Sequence, residues 1–140
     1  MNENRENQIS INKKEFKELG YQLIDRIADF IDSIDKKPVT TNKSPNDLQK
    51  ILGNDSIPEN GSSADELLTK ASDLLFNHSL LNGHPKFLGY ITSSAAPLGA
   101  LADLLAASVN PNVGAYILSP IATEIEKQTV LKKTVFQVDP

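Results

Sequence analysis

The chain contains no cysteine, which excludes disulfides and thiolate metal sites. It contains no apolar run near the ~20 residues that span a bilayer, so no membrane partner is expected. Basic residues are outnumbered by acidic ones, 14 to 18, giving a net charge of −4. That balance argues against sequence-independent binding to phosphate backbones, and no nucleic-acid partner is expected. Glycines are few and unpatterned, with Gly83, Gly89, Gly99 and Gly114 scattered, so no phosphate-cradling glycine loop is present. The opening stretch MNENRENQIS lacks the apolar centre of a signal peptide. A cytoplasmic protein is the expectation. The 140 residues suit one ordinary domain, and 39% hydrophobic content supports only a modest core.

What is present is mostly helical patterning. Residues 1–12 are polar and expected to be disordered. From Lys13 to Ile34, the residues Phe16, Leu19, Leu23, Ile27, Phe30 and Ile34 recur at helical steps. Tyr21, Ile24 and Ile31 widen this stripe, and Asn12 can cap it. Pro38 ends the helix, and Val39 to Lys43 reads as an extended link. Ser44-Pro45-Asn46-Asp47 announces a short second helix closed by Gly53. Residues 54–62 read as loop. Ser63-Ala64-Asp65-Glu66 is a capping box for a third helix. Its expected buried face is Leu67, Leu68, Ala71, Leu74 and Leu75, and its stop is Asn82-Gly83.

His84 to Ile91 reads as an extended segment, with Gly89 permitting close backbone approach. A fourth helix spans about Ala96 to Val109. It carries one charge, Asp103, and so is expected to be buried nearly all round. Asn110-Pro111-Asn112-Val113-Gly114 breaks it, and Ser119-Pro120 starts a fifth helix. After Val130 the helical period is lost, and Val135 to Val138 look strand-like.

Chemistry is sparse. His78 and His84 are six apart and match no metal pattern. None of the twelve lysines stands out as a catalytic amine, which would need burial or a neighbouring cation. The hydroxyls of Thr92-Ser93-Ser94 either cap the fourth helix or receive an anionic group such as a carboxylate. Asp103 is either a functional carboxylate or a structural one paired with a neighbouring element.

Three motifs follow one another: His84-Pro85-Lys86-Phe87-Leu88-Gly89-Tyr90, then Leu101-Ala102-Asp103-Leu104-Leu105, then Ser119-Pro120-Ile121-Ala122-Thr123-Glu124-Ile125-Glu126. With Phe16, Gly20, Tyr21, Asp25, Ile27 and Pro38-Val39 upstream, they resemble the N-terminal part of pyridoxal-phosphate-dependent group II amino acid decarboxylases, the aromatic-L-amino-acid decarboxylase type. The resemblance runs from about Glu15 to Val130. It implies a mostly α fold class: residues 13–130 form the helical N-terminal segment of a fold type I enzyme, itself α/β, without the large cofactor-binding domain. It also implies a homodimer, an amino acid substrate and loss of the substrate's carboxylate.

By the same resemblance, Tyr90, Ile91, Thr92 and Ser93 line the substrate pocket, with Ser93 contacting the substrate carboxylate. Asn110, Asn112, Gly114 and Tyr116 belong to a loop reaching toward the partner subunit's site. Asn112 and Gly114 stand where the animal enzymes carry bulky apolar residues. The family's cofactor lysine, stacking histidine and pyridine-pairing aspartate have no counterpart here. The chain alone is therefore expected to be inactive and to bind no pyridoxal phosphate, the cofactor of the full-length enzyme. Residues 131–140 depart from the family pattern, which suggests a truncated or frameshifted product or an excised fragment. An independent helical interaction module and a non-functional truncated gene product are the alternatives.

Overall fold

The computed structural model describes residues 10–53 and 61–135, with side chains to residue 131. Among the described residues the regular elements are all helical. They are α1 (Lys13–Asp32), a 3-10 turn (Ile34–Lys36), α2 (Pro45–Leu52), α3 (Ala64–His78), α4 (Pro97–Val109), a second 3-10 turn (Tyr116–Leu118) and α5 (Pro120–Val135). The chain divides after Ser94 into two compact units.

In the first unit, local chemistry fixes each helix start. The Asn12 side chain accepts from the backbone N–H of Lys14 and Glu15, both at 3.0 Å, which satisfies two of α1's orphan donors. Ser44 and Asp47 form a reciprocal capping box on α2, with Pro45 at its first position. The Ser44 bonds hold the Asp47 carboxyl below its ordinary value of 3.8, first through the hydroxyl and then through the backbone N–H. Ser63 and Glu66 form the same box on α3.

The core of this unit lies between α1 and α3. Phe30 stacks on Phe76, with ring centroids 4.4 Å apart and planes 8° from parallel. Such a pair adds about 1 kcal/mol beyond the area it buries. One turn away, the Arg26 guanidinium pairs with Asp73 and reaches the Thr69 carbonyl at 3.4 Å. Its Nε–H is enclosed without an acceptor, a cost that offsets part of the pair.

The link after α1 is pinned along the end of α3. Lys37 Nζ donates to Asn77 at 3.1 Å and lies 5.9 Å over the Phe30 ring. Leu81 N–H donates to the Val39 carbonyl at 2.9 Å, and Thr41 Oγ1 meets His78 Nδ1 at 3.3 Å.

Several expectations are corrected here. The α-helical part of the first helix ends at Asp32, followed by the 3-10 turn to Lys36. The third helix ends at His78, with Ser79 as its C-cap, not at Asn82-Gly83. Of its expected face Leu68 and Leu74 are half-buried, whereas Leu67, Ala71 and Leu75 are exposed, and the inward side facing α1 is completed by Ser72 and Phe76. The reason is angular. Leu67, Ala71 and Leu75 form a second stripe on the far side of the helix from the Arg26–Asp73 pair. Helix α1 is similarly two-faced: Leu19 is buried, whereas Tyr21, Ile24 and Ile31 are exposed.

In the second unit, α4 starts at Pro97 with Ala96 as its N-cap, and no side chain caps it. Thr92, Ser93 and Ser94 therefore do not serve as its N-cap. The helix is not buried: Leu98, Leu101, Leu104, Leu105 and Val109 are all exposed. Asn110 ends it in the left-handed conformation (φ 49°), donating its N–H to the Ala106 carbonyl at 2.8 Å, a role Asn tolerates better than other non-glycine residues.

Helix α5 continues through Val135, so the helical run does not stop at Val130. Residues 136–138 of the expected strand lie outside the described residues. No described helix is long and apolar enough to cross a membrane.

Candidate substrate-lining segment

The stretch between α3 and α4 is built from its first residues outward. Leu81 is buried, and its carbonyl accepts the His84 N–H at 3.0 Å. The His84 carbonyl accepts the Phe87 N–H at 2.9 Å, and the buried His84 ring accepts the Lys86 N–H on Nδ1 at 3.0 Å. Residues 82–86 are thus consecutive turns and not the start of an extended segment. A Cβ on Gly83 would come within 3.3 Å of Ile34 Cδ1, so glycine lets this turn lie against the 3-10 turn that follows α1. At Gly89 an added Cβ would meet only the Phe87 ring, at 3.6 Å. That is ordinary contact, so the close approach expected at Gly89 occurs at Gly83 instead.

Beyond Phe87 the chain opens to solvent. Leu88 is 96% exposed, Tyr90 86% and Ile91 107%. Thr92 and Ser93 are exposed as well. The four expected pocket residues thus form one open ledge. Tyr90 sits at φ 57°, a conformation that costs an L-residue about 1–2 kcal/mol. The expected partner-subunit loop belongs to the other unit. There Asn112 Oδ1 accepts the Gly114 N–H at 2.9 Å, and a Cβ on Gly114 would meet that oxygen at 3.0 Å. Tyr116 carries Lys127 at 5.3 Å over its ring, and Lys127 also pairs with Glu124 at 3.0 Å.

Other candidates are placed plainly. Asp103 is exposed and belongs to none of the ion pairs among the described residues, so it is not a buried paired carboxylate. His78 lies beside Thr41, and no group of three metal-ligating side chains occurs among the described residues. Arg26 and Asp73 were not singled out by motif. The available signal was Arg26's position within the Leu19–Leu23–Ile27–Phe30 stripe, where a lone cation implies a partner on the facing helix.

No protein-family model matches the chain, and no solved structure matches it. Curated proteins do. An aromatic-L-amino-acid decarboxylase of Bacillus atrophaeus is 34% identical over 122 residues, 87% of this chain and 25% of that protein. The chain is similar to one segment of an aromatic amino acid decarboxylase. A tyrosine decarboxylase of Narcissus pseudonarcissus is 30% identical over 121 residues, covering 83% of this chain and 22% of that protein. A phenylacetaldehyde synthase of Petunia hybrida is 29% identical over 116 residues, covering 83% and 23%. The chain thus spans about a quarter of the length of these curated relatives. The all-helical described chain accords with the helical segment that the resemblance implies.

Pyridoxal phosphate needs an enclosed amine for its aldehyde. Among the described side chains every lysine is exposed except the half-buried Lys37, which is engaged by Asn77 and Phe30. These residues do not fit that group, and no step of its chemistry is assigned to them.

Proposed function

We propose that this chain is the N-terminal helical portion of a pyridoxal-phosphate-dependent amino acid decarboxylase. It supplies dimer contacts and part of the substrate pocket, and it is inactive alone. The observation that carries this reading is the 34% identity sustained over 87% of the chain. The exposed apolar faces of α1, α3 and α4 support it, because such faces are suited to an obligate partner surface.

In this reading Tyr90, Ile91, Thr92 and Ser93 face an amino acid substrate, and the Ser93 hydroxyl donates to its carboxylate. Asn110, Asn112, Gly114 and Tyr116 reach toward the second subunit's site. With Asn112 and Gly114 small or polar, the side-chain end of that site is roomier than one lined by bulky apolar residues. The cofactor, when present, accepts the electrons released as carbon dioxide leaves, and it is held by the remainder of the enzyme. Cytoplasmic location belongs to the same reading, which the cysteine-free composition permits.

The test replaces the matching quarter of the Bacillus atrophaeus decarboxylase with this chain. The chimera is expected to sediment as a dimer, bind pyridoxal phosphate and release carbon dioxide from an amino acid panel, while the chain alone does none of the last two. Cofactor fixed to the isolated chain by borohydride reduction, with carbon dioxide release, would sink the proposal.

A further inference from the structure

We infer that His84 is the positioning residue of the Tyr90–Ser93 ledge, acting through a hydrogen bond from the Lys86 N–H to its Nδ1. This rests on the reading of that ledge as substrate-lining.

Few polar side chains are buried among the described residues: Ser72, His84 and Ser119. Ser72 returns its hydroxyl to the Leu68 carbonyl within its own helix. His84, only 5% exposed, instead spends its ring on the backbone two residues ahead. Three bonds then converge on one residue: its N–H on the Leu81 carbonyl, its carbonyl on the Phe87 N–H, and its ring on the Lys86 N–H. Leu81 is itself anchored to the Val39 carbonyl. The turn is thereby fixed to the α1–α3 unit.

Downstream, each link hands the position on. The His84 carbonyl holds the Phe87 N–H, Gly89 lies beside the Phe87 ring, 3.6 Å from where its Cβ would stand, and Tyr90 follows in the left-handed region. A strained residue persists only where its surroundings over-determine it. The side chains of Leu88, Tyr90 and Ile91 stand in solvent. Downstream, Ser94 returns beside Gly83 of the same turn, and upstream the imidazole is the buried side chain bonded to that turn's backbone. An imidazole that accepts on Nδ1 carries its proton on Nε2. The ring is thus required as an acceptor and not as apolar filling.

The test uses nuclear magnetic resonance of the full 140-residue chain. In the unmutated chain the ring nitrogens of His84 are expected to show the proton on Nε2 and none on Nδ1. His84→Asn retains an oxygen acceptor near the place of Nδ1, whereas His84→Leu fills the site without one. His84→Leu should exchange the Lys86 amide about fivefold faster, the fold-change of one hydrogen bond of ordinary net strength. It should also lose the contact between Gly89 and the Phe87 ring, and His84→Asn should restore both.

A proton on Nδ1 in the unmutated chain overturns the inference without any variant being needed. So does a Leu variant that keeps the Gly89–Phe87 contact while the Asn variant loses it, the order expected of a mere core filler. Carbon dioxide release plays no part in these readouts, so failure of the decarboxylase reading is seen separately, in the chimera.

Discussion

The two units of the chain are held by different physics. In the first, residues distant in sequence meet: Phe30 on Phe76, Arg26 on Asp73, Lys37 on Asn77 and Leu81 on Val39. In the second, neighbours along the chain meet. Ser108 and Thr123 return hydroxyls to carbonyls four residues back, Asn112 closes a turn on Gly114, and Lys127 joins Glu124 and Tyr116. Yet the second unit holds the more apolar helix. Apolar content alone therefore does not make a core; it must find a complementary face. Helix α1 finds one for part of its circumference, and α4 stands exposed along its length.

The contrast can be broken most forcefully at the aromatic stack. Phe76→Ala is expected to cost the first unit about 2–3 kcal/mol, at or just below the usual range for aromatic truncation because the ring is only half-buried. Leu105→Ala, on the exposed face of α4, should stay within about 0.5 kcal/mol. Thermal melts followed by circular dichroism measure both, and equal costs would erase the difference between the two units.

A smaller effect is expected at a helix start. Ser63→Ala removes one side of the α3 capping box and should cost about 1 kcal/mol. Faster exchange of the Glu66 amide is its local signature.

The smallest effect concerns Asp47. Its carboxyl is lowered in the folded chain, so its contribution to α2 is present above 3.8 and is lost as pH falls below that value through the folded pKa. The Ser44 amide, which donates to Asp47 at 3.1 Å, should shift in that acidic window. Asp47→Asn should abolish the titration.

Helix existence was legible where the chain punctuates itself. Ser44-Pro45, Ser63 with Glu66, Pro97 and Ser119-Pro120 announce helix starts found within a residue of expectation, because caps and prolines act locally. What failed was non-local. The pattern in α3 does not single out one inner face, and only the aromatic and ionic partners on α1 select the side carrying Leu68, Ser72 and Phe76. Composition alone points to burial of α4, but composition states what a helix wants and not what it meets. At the candidate site, Tyr90 to Ser93 were legible only through family resemblance. The turn at His84 was missed because side-chain acceptance of a backbone N–H two residues on leaves no periodic trace.

Helices α2, α4 and α5 each begin on a proline. A proline ring disfavours the helical conformation in the preceding residue. Each of these three helices therefore resists growing backward into the chain before it. The stretch between α4 and α5, already stopped by the left-handed Asn110, is barred at both ends from fusing them into a single rod. The joints of this molecule are covalent decisions. A partner that reshapes the chain can swing its helices about those joints but cannot splice them.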